Sequence, residues 1–135
     1  MNVFTYGSLM FKDIWVHVVA GNYPKRNARL YGYQRRKIRG EIYPAVIPGS
    51  NEDYIDGKIY LDVGDDDINS LDEFEGEYYR KRWCECELDD GRNVQAYVYV
   101  FKKEFQYLIE DQAWDPDEFS KTGIFRFFSG YKGFD

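Results

Sequence analysis

The chain has 135 residues, 44% of them hydrophobic and 19% aromatic, with 13 Tyr and 10 Phe. This is enough for one domain with one core, and the aromatic load excludes a disordered chain. The formal net charge is −6, spread as 9 basic and 5 acidic side chains (+4) over residues 1–60 and 9 basic and 19 acidic (−10) over 61–135; such a balance is not set up to neutralise phosphates and argues against nucleic acid as the main partner.

The first element is Val3-Phe4-Thr5-Tyr6, β-branched and aromatic residues that fit a strand. Gly7-Ser8 ends it in a turn, where glycine permits a close approach or a positive φ and backbone N–H groups are left available to an anion. An ordinary edge strand with a turn is the plainer reading of the same residues. Lys12 to Ala20 has apolar residues at 14, 15, 16, 18, 19 and 20 and predicts a short helix ended by Gly21-Asn22. The single histidine, His17, is read as structural, because no cysteine or second histidine accompanies it. Pro24 to Arg29 reads as a polar connector, then Ala28 to Arg36 and Lys37 to Ile42 as strands. The basic run Arg35-Arg36-Lys37-Ile38-Arg39 reads as a solvated strand face.

Tyr43 to Gly49 is extended, with Pro44 and Pro48 removing ladder donors, so it belongs at a sheet margin or lines a cavity. Asn51-Glu52-Asp53 is a turn and Tyr54 to Val63 an alternating strand. Acidic Gly64-Asp65-Asp66-Asp67 opens a helix from about Asp66 to Phe74, with Ile68, Leu71 and Phe74 on one face. Arg82 to Leu88, a turn at Asp89-Asp90-Gly91-Arg92, and Asn93 to Phe101 form a hairpin with Val94, Ala96, Val98 and Val100 on one side. Cys84 and Cys86 share a strand face and read as reduced thiols, not a zinc site. Lys102 to Glu110 is helical or irregular. From about Asp111 the chain is an acidic aromatic tail, within which Asp117 to Phe128 fits an amphipathic helix packed on the sheet. No linker divides the chain, which reads as a single domain over 1–135. No apolar run approaches the roughly 18 residues of a membrane span, and no leader precedes the first strand, so a cytoplasmic protein without a membrane partner is expected.

One further segment carries chemistry. Leu71-Asp72-Glu73-Phe74-Glu75-Gly76-Glu77-Tyr78-Tyr79-Arg80-Lys81-Arg82 packs four carboxylates and three cations between two elements. Glu75 lies between an aromatic and a helix-ending glycine. Facing the core, its carboxylate would be poorly hydrated and its pKa would rise toward neutrality, making it a proton shuttle; facing water, it is an ordinary helix-end glutamate.

VFTYGSL at residues 3–9 and LDEFEG followed by tyrosine at 71–79, with YPAVIPG and YIDGKIYLDV between them, resemble the γ-glutamylcyclotransferase-like superfamily, in particular its AIG2-like and γ-glutamylamine cyclotransferase branch. The resemblance covers about residues 2–101, and the aromatic tail is similar to plant AIG2-type tails. It implies an α+β fold: a small mixed β-barrel flanked by helices, with a cavity at one end. It further implies that Tyr6, Gly7, Ser8 and Leu9 hold the substrate's α-carboxylate and amino group through backbone groups. Glu75 matches the family's catalytic acid/base. The family tyrosine falls on Tyr79, with Lys81 in the arginine place of Y-x-R, or on Tyr78, with Arg80 in that place.

The implied reaction releases 5-oxoproline and a free amine from a γ-glutamyl amine or amide, an acyl transfer to the substrate's own α-amine. It calls for no metal or cofactor, and its partner is a small molecule. Two other readings stay open: a binding module for an amino-acid-like ligand in the same cavity, and a protein-interaction domain using the acidic aromatic tail.

Overall fold

The computed structural model describes residues 1–123. Its barrel strands are laid down in the order β1 (Val3–Thr5), β2 (Lys25–Tyr31), β5 (Tyr54–Tyr60), β6 (Tyr79–Leu88) and β7 (Asn93–Phe101). They close in the spatial order β1-β5-β2-β6-β7. The neighbours are antiparallel except for β1 and β7, which meet in parallel at Val3 and Tyr97 and complete the ring. A second, three-stranded sheet of order β4-β3-β8 is formed by β3 (Tyr33–Ile38), β4 (Pro44–Pro48) and β8 (Ile109–Ala113). Two helices, α1 (Lys12–Val18) and α2 (Asp65–Glu75), complete an α+β fold.

Alternation along the strands divides the apolar side chains into two cores, because a barrel wall has an inner and an outer face. Phe4, Leu30, Ile55, Ile59, Cys86, Ala96, Val98 and Val100 fill the inside. Val3, Tyr60, Tyr99 and Phe101 belong to a second core that they share with Ile14, Trp15, Val18, Ile68 and Leu71 of the helices. Trp15 stacks on Tyr60 with ring centroids 3.5 Å apart. Ile68 and Leu71 are the buried face expected from the helical spacing.

Several boundaries differ from the sequence reading, each for a local reason. The strand expected over 28–36 is two strands. The chain turns at Gly32, φ +86°, and passes from the barrel into the second sheet. Period-two alternation is blind to that change of partner. The connector expected at Pro24–Arg29 is already strand from Lys25, paired residue by residue with β5. The strand expected over 37–42 stops at Ile38, where a turn puts Gly40 at φ +75°. β5 stops at Tyr60 short of Asp62, which has φ +57°. β6 starts at Tyr79, earlier than Arg82, because Tyr79, Arg80 and Lys81 pair with Phe101, Val100 and Tyr99.

The region 102–110 contains a 3₁₀ segment, Lys103–Leu108, and then β8, a polar edge strand that carries no alternation signal. α1 ends at Val18, two residues before Ala20, because the Ala20 and Gly21 N–H groups donate to the Asp67 carboxylate at 3.0 and 3.1 Å and Tyr23 donates to it at 2.5 Å. Burial pushes the Asp67 pKa up, but those three donors outweigh it and hold the carboxyl below its ordinary value. Of the helix expected over 117–128, Pro116–Glu118 forms one turn that continues as a π turn over Phe119–Gly123; residues from 124 lie outside the described part. Cys84 and Cys86 are free thiols on the inner wall. No helix among the described residues is long and apolar enough to cross a membrane.

Candidate active site

Where β1 leaves the barrel, the chain turns through Tyr6 and Gly7 into a 3₁₀ turn over Ser8–Met10. This turn forms one wall of a cavity of about 170 Å³ lined by Phe4, Thr5, Tyr6, Gly7, Ser8, Leu9, Tyr43, Pro44, Phe74, Glu75, Tyr79 and Tyr99. Five separate segments converge there: β1 with the loop after it, the start of β4, the end of α2, the start of β6 and the C-terminal part of β7. Gly7 has φ −131°, so a positive φ is not what the position requires. A Cβ at Gly7 would lie 2.8 Å from Pro44 Cγ and Cδ, so the missing side chain lets the second sheet close over the loop.

Glu75 is the last residue of α2, and the cap after it is Gly76, with φ +74°, ψ −160° and its N–H on the Asp72 carbonyl at 3.2 Å. That combination of angles is essentially open only to glycine. It stops the helix at the point where the Glu75 side chain meets the cavity. Glu75 is half-buried by surface, the open part facing the cavity and an adjoining recess beside Asp72 and Lys81; around it the carboxyl is otherwise enclosed by protein. Burial, and then the negative charge of Asp72, push its pKa from 4.5 to about 8.

Three of the tyrosines around Glu75 donate their hydrogen bonds to groups other than Glu75. Tyr6 donates to the Tyr99 carbonyl, Tyr79 to the Pro44 carbonyl at 2.7 Å, and Tyr99 to Asp72 Oδ1 at 2.7 Å. Lys81 Nζ meets Asp72 Oδ2 at 3.0 Å, so Asp72 is held between a phenol and an ammonium. Burial raises the pKa of Tyr6, Tyr79, Tyr99 and Tyr43 and keeps these phenols neutral. Glu75 is the cavity's titratable group poised near neutral pH.

Of the residues singled out in sequence, Tyr6, Gly7, Ser8, Leu9, Glu75 and Tyr79 come together around this cavity. Tyr78 and Arg80 do not. Successive strand residues point to opposite faces. Tyr78 packs against Phe101 and edge-on to Phe105, at 6.0 and 4.7 Å between centroids, and Arg80 is exposed on β6. With Tyr79 inside, the Y-x-R place falls on Lys81, which touches Asp72.

The sequence reading named no role for Tyr99 or Asp72, and took Phe74 only as part of the helix's apolar face and as the aromatic beside Glu75. Tyr99 lies on the face of β7 opposite the valines, and an aromatic on that face was the available signal. Pro44 and Tyr43 fall in the segment expected to line a cavity. Among the described residues, no three His, Cys, Asp or Glu side chains group as a metal ligand set. His17 is exposed on α1, outside the cavity lining.

A small closed mixed barrel with a loop-walled cavity and a half-buried glutamate at its mouth defines a γ-glutamyl cyclotransferase-like fold. The family model "Gamma-glutamyl cyclotransferase, AIG2-like" matches residues 3–116, and the chain belongs to that family. AIG2-like protein D of Arabidopsis thaliana is 36% identical over 105 residues, covering 76% of this chain and 68% of the relative. The solution structure of another Arabidopsis thaliana protein superposes with a TM-score of 0.73 at 26% identity, covering 95% of this chain and 77% of that one. A yeast γ-glutamyl cyclotransferase specific to glutathione shares the fold, with a TM-score of 0.65 at 14% identity over 84% of this chain and 73% of that one.

Proposed function

We propose that the protein is a γ-glutamyl cyclotransferase acting on a γ-glutamyl amine or amide, with Glu75 as its acid/base. The observation that carries this reading is a carboxyl raised to about 8 across a small cavity from the Tyr6–Leu9 turn, in a chain of this family.

A γ-glutamyl amide contains its own nucleophile, the α-amine, so the protein must fold the substrate and pass protons from the attacking nitrogen to the leaving one. Holding the two ends together converts the encounter into a pre-organised unimolecular step worth several kcal/mol. Glu75, as the carboxylate, accepts a proton from the α-ammonium. The freed nitrogen attacks the γ-carbonyl carbon and the five-membered lactam closes. The bond from that carbon to the leaving nitrogen breaks as Glu75 returns the proton to it, and the second proton that the attacking nitrogen sheds in becoming the lactam N–H passes by way of Glu75 to the departing amine, which takes it up as its ammonium. The products are 5-oxoproline and the free amine, and no water is consumed. A chain α-amine titrates at about 7.7–8.0. The substrate's α-amine, beside its own free carboxylate, titrates above such a chain terminus, and a glutamate raised toward it takes its proton at a smaller cost than an ordinary carboxylate would. Backbone N–H groups of the Tyr6–Leu9 turn supply donors for the substrate's carboxylate and for the negative charge that develops on the γ-oxygen.

The test is 5-oxoproline release from a panel of γ-glutamyl amines, γ-glutamyl amino acids and glutathione. Release by the wild type, abolished in Glu75→Gln, is expected. Binding of these ligands without release would make the cavity a holding site and overturn the enzymatic reading.

A further inference from the structure

Arg35 was expected on a solvated strand face, and the structure places it elsewhere. It lies on β3 opposite Val46 of β4, half-buried, and reaches across to the barrel. Its Nη1 donates to the Tyr6 carbonyl at 2.8 Å and stands 3.5 Å from the Asp56 carbonyl. Its guanidinium lies over the Trp114 ring, 5.3 Å from the centroid. Asp56 and Asp115 influence it at longer range, but no ion pair within 4.0 Å forms among the described residues. A half-buried guanidinium held by a main-chain carbonyl and an aromatic face, instead of a carboxylate, is an uncommon arrangement.

Trp114 is itself fixed. It is 6% exposed, donates from Nε1 to the Ile42 carbonyl at 2.9 Å and packs on Phe119. The Tyr6 carbonyl belongs to the Tyr6–Gly7 peptide, and no peptide bond among the described residues is cis. In a trans peptide the N–H points opposite to the C=O. Tyr6 and Gly7 line the cavity and Arg35 does not, an arrangement that fits a carbonyl turned toward Arg35 and a Gly7 N–H turned toward the cavity. Gly7 and Ser8 are buried, and neither N–H donates to an acceptor among the described residues. Buried main-chain donors without a partner are rare and call for an explanation.

We infer that Arg35, braced by Trp114, is a positioning residue that locks and polarises the Tyr6–Gly7 peptide so that the Gly7 N–H is presented to the substrate's carboxylate. The clamp stands on the geometry alone; only the identity of the carboxylate rests on the cyclotransferase reading. It ties substrate affinity to the second sheet and to the segment that carries Trp114, neither of which supplies the acid/base.

The experiment compares wild type, Arg35→Met and Arg35→Lys, each verified as folded by its amide spectrum. Loss of the charged donor on the Tyr6 carbonyl moves the Gly7 amide resonance, in the absence of any ligand, while distant amides stay in place. With a γ-glutamyl amine, KM rises roughly 10- to 100-fold in Arg35→Met, the range of one charge-assisted hydrogen bond. Because the lost contact is equal in ground and transition states, kcat stays within about threefold. Arg35→Lys, which keeps a single donor, recovers part of the loss. If the wild type turns over no γ-glutamyl amine, the functional reading fails. The clamp is then judged on 5-oxoproline titrations and, where that probe does not bind, on the Gly7 resonance alone. A folded Arg35→Met with an unmoved Gly7 resonance, or one that loses only melting temperature or only kcat, overturns the inference.

Discussion

Replacing Glu75 by glutamine should make the protein more stable while removing its activity, and the stability gain should depend on pH. A carboxyl whose pKa is 4.5 unfolded and about 8 folded binds more protons in the native state between those values. Native stability therefore falls as pH rises through that window. At about 1.36 kcal/mol per pH unit, the full window amounts to about 5 kcal/mol, and the part already traversed at pH 7 to about 3 kcal/mol. Glutamine has the shape of the protonated acid and cannot ionise, so the variant escapes this loss. For a domain of this size, about 3 kcal/mol corresponds to a melting temperature higher by about 10 °C. The assay is a pair of thermal melts at pH 5, 7 and 9 beside a 5-oxoproline assay. The two proteins should melt together at pH 5, separate by pH 7, and separate most at pH 9, where titrations common to both cancel in the difference. Turnover should fall at least about 100-fold. Melting curves that stay parallel from pH 5 to 9 would refute the claim that the Glu75 site penalises charge.

Three further outcomes follow from the same geometry. Asp72→Asn removes a charge that raises the Glu75 pKa, and Lys81→Met removes the ammonium that offsets it. The limb of the kcat/KM–pH profile set by Glu75 should move down in the first and up in the second, and a shared direction would contradict this electrostatic account. Tyr79→Phe, which deletes the hydrogen bond to Pro44, should lower stability by about 1 kcal/mol and weaken turnover; Tyr78→Phe, outside the cavity, should leave turnover unchanged, and equal kinetic effects would dissolve the distinction between them. Gly7→Ala forces a methyl to within 2.8 Å of Pro44 and should cost about 1–3 kcal/mol by overpacking, read as a lower denaturation midpoint in urea; an unchanged midpoint would mean that the second sheet yields freely.

The helix carrying Glu75 was legible because Ile68, Leu71 and Phe74 repeat at helical spacing and Gly76 marks its end. The β6–β7 hairpin was legible from Asp90-Gly91 and alternating valines. Pro44 was legible as a margin residue because two prolines cannot serve in a central strand. The break at Gly32 was hidden, because alternation runs through it while the partner strand changes. Arg35 was misread for a related reason: a basic run looks solvated from its own neighbours, and Tyr6 and Trp114, its contacts, lie far away in sequence. The choice between Tyr78 and Tyr79 depended on which face of β6 meets the cavity, and only the register with β7 decides that.

The parallel contact of Val3 with Tyr97 has a consequence for the order of assembly. β1 has three residues, and both of its neighbours, β5 and β7, are supplied by distant parts of the chain. The entropy of closing such loops must be met before the strand gains anything, so we expect β1 to dock after the local β6–β7 hairpin. The turn that walls the cavity follows directly on β1, and a refolding chain should therefore regain ligand capture only with ring closure. Pulsed hydrogen exchange should protect β6 and β7 amides first, and protection of β1 ahead of them would contradict this order. During synthesis, the first strand to be made is on this view the last to find its place.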